Sequence, residues 1–113
     1  MIPITALEML EKRPKVGYLS FGCPVLDKKI GGISLTGITE VCGEAGCGKT
    51  QLCLVSAIRC QLSINEGGLD GAAAYLSCGE GEFPIRRLSQ IIKEYELLTK
   101  RSTTSFLENI HIE

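Results

Sequence analysis

The sequence contains no tryptophan, few aromatic residues, a single histidine and no excess of either charge. Aromatic residues make up 5% of the 113 positions and the formal net charge is −1. Composition therefore favours neither a basic nucleic-acid surface nor a membrane as partner. No apolar run approaches the roughly 18 residues that a membrane-spanning helix needs. The amino terminus is also unlike a secretory signal, because it carries acidic residues and no long apolar stretch. We therefore expect an intracellular protein.

Six cysteines are present, but no two of them form a C-x-x-C pair. Zinc sites are usually built from close pairs of cysteine or histidine, so this spacing argues against a metal site. We interpret the cysteines as reduced thiols that pack as small hydrophobic side chains in a reducing compartment. They are Cys23, Cys42, Cys47, Cys53, Cys60 and Cys78.

The predicted secondary structure alternates between helices and strands. Thr5 and Glu8 form a capping-box pattern at the start of the first helix. Glycine pairs follow the second and third helices, where left-handed conformations end a helix. Predicted helices run from Thr5 to a stop at Pro14 and over residues 24–30, 49–65 and 84–100. Predicted strands cover residues 38–42, 72–77 and 109–112, and residues 102–105 are predicted to be a polar linker.

This order predicts the α/β class, with a parallel sheet flanked by helices. Residues 72–77 are short and apolar, which is typical of a strand buried on both faces. Three strands are fewer than the about five or six of a typical sheet. We therefore expect the chain to be part of a larger domain.

Residues 43–50 fit the phosphate-loop pattern G-x-x-x-x-G-K-[ST] at every fixed position. The glycines let successive amides form one concave nest, and the helix that begins at Lys49 adds its amino-terminal amides and dipole. Lys49 is expected to reach the β- and γ-phosphates, and the Thr50 hydroxyl to hold Mg²⁺. The predicted nucleotide-binding residues here are Gly43, Glu44, Ala45, Gly46, Cys47, Gly48, Lys49, Thr50 and Gln51. The motif by itself does not separate kinases, GTPases and ATPases, although ATP is the expected nucleotide.

Two acidic residues, Glu80 and Glu82, follow the predicted strand 72–77. A carboxylate at such a strand end can act as general base or position a water near the γ-phosphate. Either glutamate fits this role on spacing alone, and the alternative is that both are ordinary loop acids.

Three segments give the sequence a family resemblance. They are Leu19 to Gly32, Gly37 to Gly43, and the Gly-Lys-Thr-Gln-Leu run that ends at Leu52. Together they resemble the RecA/RadA family of strand-exchange recombinases across nearly the whole chain. Cys-Pro-Val-Leu-Asp27 and Phe-Pro-Ile-Arg-Arg-Leu88 are most similar to a eukaryotic recombinase paralog of the X-ray repair cross-complementing group.

The resemblance implies a partial RecA-like P-loop NTPase core, an incomplete three-layer αβα arrangement. Residues 1–18 would be a linker with a short helix, and residues 19–113 the amino-terminal part of the ATPase domain. Matched on Phe83-Pro84, the family's water-activating catalytic glutamate falls on Glu80, although this chain has one extra residue near Cys78-Gly79. Arg87 matches an arginine that packs on adenine, unless it and Arg86 are simply solvated charges.

The implied function is an ATP- and Mg²⁺-binding recombinase paralog that acts in DNA repair by homologous recombination in the nucleus. Its implied partners are other recombinase or paralog subunits, and DNA through the full complex. The family's second magnesium-binding motif and its DNA-contacting loops are expected downstream, so we expect weak hydrolysis or none from these residues. Two alternatives stay open, a P-loop kinase for a small molecule or nucleotide, and a truncated subunit that binds ATP without turnover.

Overall fold

The computed structural model describes residues 2–12, 17–79 and 81–113. Its helices are α1 (Ala6–Glu11), α2 (Pro24–Ile30), α3 (Lys49–Arg59), α4 (Ile85–Thr99) and α5 (Thr103–Glu108), with a 3-10 turn at Ile64–Glu66. Its strands are β1 (Tyr18–Leu19), β2 (Ile33–Ser34), β3 (Ala73–Tyr75) and β4 (Ile110–Ile112). None of the helices in these ranges is long and apolar enough to cross a membrane.

A parallel sheet forms between β3 and β4, with Ala73 opposite Ile110. The Ala73 amide donates to the Asn109 carbonyl at 2.9 Å, and the Glu113 amide donates to the Tyr75 carbonyl at 3.0 Å. Parallel strands need a crossover connection, and here α4 and α5 supply it. The predicted α/β class and parallel pairing are confirmed.

The hydrophobic core lies where α3, α4 and α5 pack together beside this sheet. α3 and α4 contribute apolar side chains at helical spacing, so that one face of each is buried, and α5 contributes Phe106. The buried residues of this cluster are Leu54, Ala57, Ile58, Leu62, Leu88, Ile91, Ile92, Phe106 and Ile110.

Local capping explains several of the helix boundaries. The predicted capping box of α1 is present, because Thr5 Oγ1 accepts from the Glu8 amide at 3.1 Å and Glu8 Oε2 accepts from the Thr5 amide at 2.8 Å. The predicted stop at Pro14 lies outside the described residues. α2 ends at Gly31, whose φ of 94° is left-handed, as its position after the helix predicts.

The prediction of a strand at residues 38–42 is wrong, because these residues form no β-ladder. Ile38 is 99% exposed and Val41 is 46% exposed. A strand forms only where a neighbouring strand satisfies its amides and carbonyls. Within the described ranges β3 and β4 pair with each other, and no strand lies alongside residues 38–42.

Residues 72–77 were also predicted to be buried on both faces, and this is wrong. β3 covers only residues 73–75, and Ala74 and Leu76 are exposed. The backbone groups of Ala73, Tyr75 and Ser77 form hydrogen bonds on the side of β3 that faces β4. The backbone groups of the residues between them point the other way, to an open edge of β3.

A groove of about 520 Å³ separates this open edge from residues 39–41. Its walls are mainly apolar, and α3 provides one of them through Leu52, Cys53 and Ser56. We call it the edge groove. It explains why the exposed apolar residues at 38–42 and Leu76 are not part of the core.

The predicted polar linker at residues 102–105 is wrong, since α5 begins there. Ser102 Oγ accepts from the Ser105 amide at 3.1 Å, which caps the helix, and burial of Phe106 anchors it. The predicted helix at 49–65 is too long for a related reason. After α3 ends, Ser63 starts a separate 3-10 turn, with Glu66 Oε1 accepting from the Ser63 hydroxyl at 2.7 Å.

All six cysteines are unpaired thiols, as predicted. The further interpretation that most of them pack as small hydrophobic side chains is wrong. Only Cys60 is buried, and that burial raises the pKa of its thiol. Of the four exposed cysteines, the one on α3 faces the edge groove and the other three lie on surface loops. The four are Cys42, Cys47, Cys53 and Cys78.

Candidate functional site

The phosphate loop, residues 43–50, leads directly into the first turn of α3. Gly46 and Gly48 have φ values of 82° and 104°, which side-chain-bearing residues rarely adopt. Gly48 is the N-cap residue, and the first helical hydrogen bond runs from the Leu52 amide to the Gly48 carbonyl at 2.9 Å. The amides of the first turn therefore have no partner inside the helix.

These amides lie beside a cavity of about 540 Å³. Its lining consists of Ala45, Gly46, Gly48, Lys49, Thr50 and Gln51. A cavity at a helix amino terminus suits an anion, because the dipole and the unpaired amides both favour negative charge. Six of the nine residues that are predicted to bind nucleotide at the loop and the start of α3 thus share one cavity.

Lys49 bends back across the loop, and its ammonium group donates to the Gly43 carbonyl. Gly43 also lies under Cys47, since a side-chain β-carbon at position 43 would stand 2.4 Å from the Cys47 sulfur. The lysine and the loop glycine are therefore in contact, which keeps the positive charge at the mouth of the nest. A phosphate oxygen could take the place of the carbonyl as acceptor.

Thr50 lines a second cavity, of about 400 Å³, that extends to the carboxyl end of β3. Glu82 and Ser77 line the same cavity, so one of the two predicted acids shares a cavity with Thr50, the predicted magnesium ligand. The other acid, Glu80, lies outside the described residues. In the ranges that the structure does describe, no group of three histidine, cysteine or acidic residues forms a metal centre.

Arg87 reaches from α4 to the first turn of α3, directly after the phosphate loop. Its Nε donates to Gln51 Oε1 at 2.9 Å, and its Nη1 donates to Gln90 Oε1 at 3.3 Å. The packing of α3 against α4 in the core sets this approach, because Leu54 and Leu88 are both completely buried. Arg87 and Gln51 are both predicted site residues, but nothing in the sequence indicates that they are in contact.

Gln90 was not predicted to be a site residue. The sequence could have indicated its contact with Arg87, because an i, i+3 spacing on an exposed helix face places two side chains within reach of each other.

Comparisons with known proteins identify a matching family and several relatives of this chain. A family model described as Rad51 matches residues 12–112. The chain is 46% identical over 84 residues to the DNA repair protein XRCC3 homolog of Arabidopsis thaliana and 48% identical over 81 residues to the DNA repair protein XRCC3 of Bos taurus. It is 40% identical over 94 residues to the DNA repair protein RAD51 homolog of Solanum lycopersicum.

These three alignments cover 74%, 71% and 82% of this chain, but only 27%, 24% and 27% of the relatives. The chain thus spans about a quarter of the length of the curated relatives it matches. The matched part of this chain includes the whole phosphate loop, α3, β3 and α4 in the family model.

Proposed function

Because this chain belongs to the Rad51 family, we propose that it binds ATP with Mg²⁺ as part of a RecA-like recombinase paralog in DNA repair by homologous recombination. The observation that carries the proposal is the phosphate loop, in which left-handed Gly46 and Gly48 lead into the unpaired amides of α3. The printed names of the three relatives, all DNA repair proteins, support the cellular role. On the same grounds we propose a nuclear location.

Phosphate binding follows from the charges and donors around the loop. The amino-terminal amides of α3 donate to phosphate oxygens, and the helix dipole adds a partial positive charge at the same point. Lys49 exchanges its bond to the Gly43 carbonyl for a charge-assisted bond to the β- and γ-phosphates. The exchange favours the nucleotide because an ionised acceptor binds an ammonium more strongly than a neutral carbonyl does.

The Thr50 hydroxyl fits a magnesium ion that is shared with the phosphates, since it lies between the loop cavity and the cavity at the end of β3. The ion would neutralise charge on the β- and γ-phosphates. We propose Glu80 as the residue that activates water, by its match to the family pattern. Glu82 is the described acid in the cavity next to Thr50, and it is the second candidate.

We propose that these residues bind nucleotide with little turnover by themselves and that bound ATP stabilises contacts with other recombinase subunits. Those subunits, and DNA through the whole complex, are the proposed partners. The chain holds about a quarter of its relatives' length, so these partners belong to the whole protein.

The direct test is ATP affinity measured with a fluorescent analogue, with and without magnesium. Lys49→Ala removes one charge-assisted hydrogen bond, each of which contributes about 1.5–3 kcal/mol, so we expect at least roughly a tenfold loss of affinity. Lys93→Ala is the matched control, because Lys93 is an exposed lysine on α4 outside the loop. Thr50→Ala should lose most of the effect of magnesium while retaining magnesium-free binding.

Failure of the unmodified chain to bind ATP with magnesium would overturn the proposal. So would equal affinities of Lys49→Ala and Lys93→Ala. For the cellular role, recombinase subunits should bind in an ATP-dependent manner. Phosphoryl transfer to a small acceptor would instead support a kinase.

A further inference from the structure

We propose that Cys42 and Cys47 are a redox-sensitive pair, which an intracellular peroxide joins in a disulfide that closes the phosphate loop to nucleotide. Cys42 directly precedes Gly43, the first residue of the loop, and Cys47 lies inside the loop. Both thiols are exposed, so a small oxidant in solution reaches them. The loss of nucleotide binding rests on the proposed function, whereas the formation of the disulfide does not.

The loop folds back so that the Cys47 thiol lies against Gly43. A side-chain β-carbon at position 43 would clash with the Cys47 sulfur, which therefore lies within about 4 Å of the Gly43 α-carbon. Consecutive α-carbons are about 3.8 Å apart, which places the Cys47 sulfur within about 8 Å of the Cys42 α-carbon. The two cysteines, five positions apart in the chain, are thus brought to the same end of the loop.

A movement confined to the loop joins the two thiols. A disulfide holds its two α-carbons about 4.4–6.8 Å apart, so Cys47 has to approach Cys42 further. The intervening residues include Gly43 and Gly46, and glycine changes its backbone conformation at low cost. A linker this short also keeps the effective concentration of one thiol at the other on the order of millimolar or higher.

Glu40 gives the two thiols different roles. The Cys42 thiol donates to Glu40 Oε1 at 3.0 Å, and this hydrogen bond raises the pKa of the Cys42 thiol. Cys42 is therefore kept protonated, and since the thiolate is the reactive form, we expect Cys47 to be oxidised first. The Glu40 carboxylate lies where it accepts the Cys42 proton when that thiol reacts in turn.

The oxidation takes place in two steps. Hydrogen peroxide transfers one oxygen atom to the Cys47 sulfur, which becomes a sulfenic acid, and its other oxygen leaves as water. The Cys42 sulfur then attacks the Cys47 sulfur, so that the S–S bond forms while the S–O bond breaks. The Cys42 proton passes to Glu40, and the departing hydroxide takes up a proton to become a second water. Two thiols lose two electrons in total, and the peroxide gains them.

Closing the disulfide disrupts the nest of amides. Cys47 stands between Gly46 and Gly48, which both line the loop cavity. Pulling Cys47 towards Cys42 moves these neighbours, and a polyphosphate needs their amides to converge on one point. Bound phosphate in turn holds the loop open, because the coupling between two binding equilibria is reciprocal. ATP and the disulfide should therefore exclude each other.

The test treats the reduced 113-residue chain with hydrogen peroxide and maps the cross-linked peptides by mass spectrometry without reduction. A peptide pair joined through Cys42 and Cys47 should appear. ATP affinity should fall at least roughly tenfold, the loss expected for one charge-assisted phosphate contact, and dithiothreitol should restore it. Mg-ATP at ten times its dissociation constant should slow disulfide formation about tenfold, because only the free chain reacts.

Two variants separate the pair from the other cysteines. Cys42→Ser removes a thiol that is not among the predicted nucleotide-binding residues, so it should bind ATP normally and keep most of that affinity after peroxide. Cys53→Ser is the matched control, because Cys53 is exposed on α3 and faces the edge groove. It should lose ATP binding on oxidation as the unmodified chain does.

A disulfide from Cys47 to any cysteine other than Cys42 would overturn the assignment. So would equal losses of ATP affinity in oxidised Cys42→Ser and the oxidised unmodified chain. If the reduced chain fails to bind ATP, the phosphate-loop proposal fails, while the peptide map still decides whether the disulfide forms.

Discussion

Asp27 joins the start of α2 to the segment that follows β1 through two hydrogen bonds. The Ser20 hydroxyl donates to Oδ2 at 2.6 Å, and the Phe21 amide donates to Oδ1 at 2.8 Å. These two bonds, that of Ser20 more than that of Phe21, hold the pKa of Asp27 below its ordinary value of 3.8. The Arg59 cation acts in the same direction. The ionised carboxylate therefore favours the folded state.

Asp27→Asn should lower the free energy of unfolding at pH 7, since the neutral amide accepts more weakly. A pKa that is lower in the folded than in the unfolded state stabilises the fold above the unfolded pKa. The contribution begins to fall when the pH drops below the unfolded pKa of 3.8. It is lost once the pH has passed through the lower pKa of the folded state. The difference between wild type and variant should thus shrink between pH 7 and pH 3 in urea unfolding.

Asp70→Asn is the control for this comparison, because Asp70 is exposed and outside the network around Ser20. A difference for Asp27→Asn that stays the same at both pH values would argue against the ionised carboxylate as its origin.

At the scale of single elements, α4 shows that the spacing of apolar residues was sufficient to predict a helix and its buried face. Leu88, Ile91 and Ile92 recur on one face and are buried, as their spacing predicts, and the helix bounds differ from the prediction by one residue at each end. Leu97, in the last turn, is 82% exposed although it is equally apolar. Residue type alone does not separate the two leucines, whereas their position around the helix axis does.

Leu88→Ala should lower the free energy of unfolding by about 2–5 kcal/mol, because it removes a completely buried side chain and leaves a cavity. Leu97→Ala, the same change on the same helix, should stay within about 0.5 kcal/mol of wild type. Chemical denaturation measures both. Equal losses for the two variants would show that the buried face of α4 is not the one formed by Leu88, Ile91 and Ile92.

Strand prediction was less successful, for a physical reason. Residues 38–42 have strand composition, but a strand needs a neighbour for its backbone groups, and these residues have none in the described ranges. The short sequence at 102–105 has linker composition, yet capping by Ser102 and the buried Phe106 make it helical. Local composition decides neither case, since a missing neighbour strand decides the first, and the Ser102 cap together with the burial of Phe106 decides the second.

The whole molecule exposes more surface than a compact domain of its size. Its accessible surface is 8799 Å² and its radius of gyration is 16.8 Å. A compact monomer of 12.2 kDa is expected to show about 6,000 Å², and a domain of this length a radius of about 13 Å. Large apolar residues contribute to this exposed surface, among them Leu76 and Val41 at the edge groove.

The 113-residue chain by itself should therefore self-associate in sedimentation velocity experiments as its concentration rises. An open strand edge with apolar neighbours is a template for pairing with another chain, and a charge placed there opposes pairing. Leu76→Lys, at the edge groove, should reduce the association, whereas Leu97→Lys on α4 should reduce it less. A monomeric chain at all concentrations, or equal effects of both changes, would contradict this assignment.

The sequence by itself determined the phosphate loop, because that motif is local. The identities of Gly48, Lys49 and Thr50 and their spacing before a helix define the donors that a phosphate needs. It also determined β3, α4 and β4 in that order, since hydrophobic periodicity acts over a few residues, although the place of α5 was predicted to be a linker.

Only the tertiary structure decided which elements pair and which side chains meet. The Gln51–Arg87 bond and the unpaired state of residues 38–42 depend on contacts between segments far apart in the chain. Such contacts follow from how α3 and α4 pack and from which strand edges find neighbours, and neither is written in the spacing of residues along one segment.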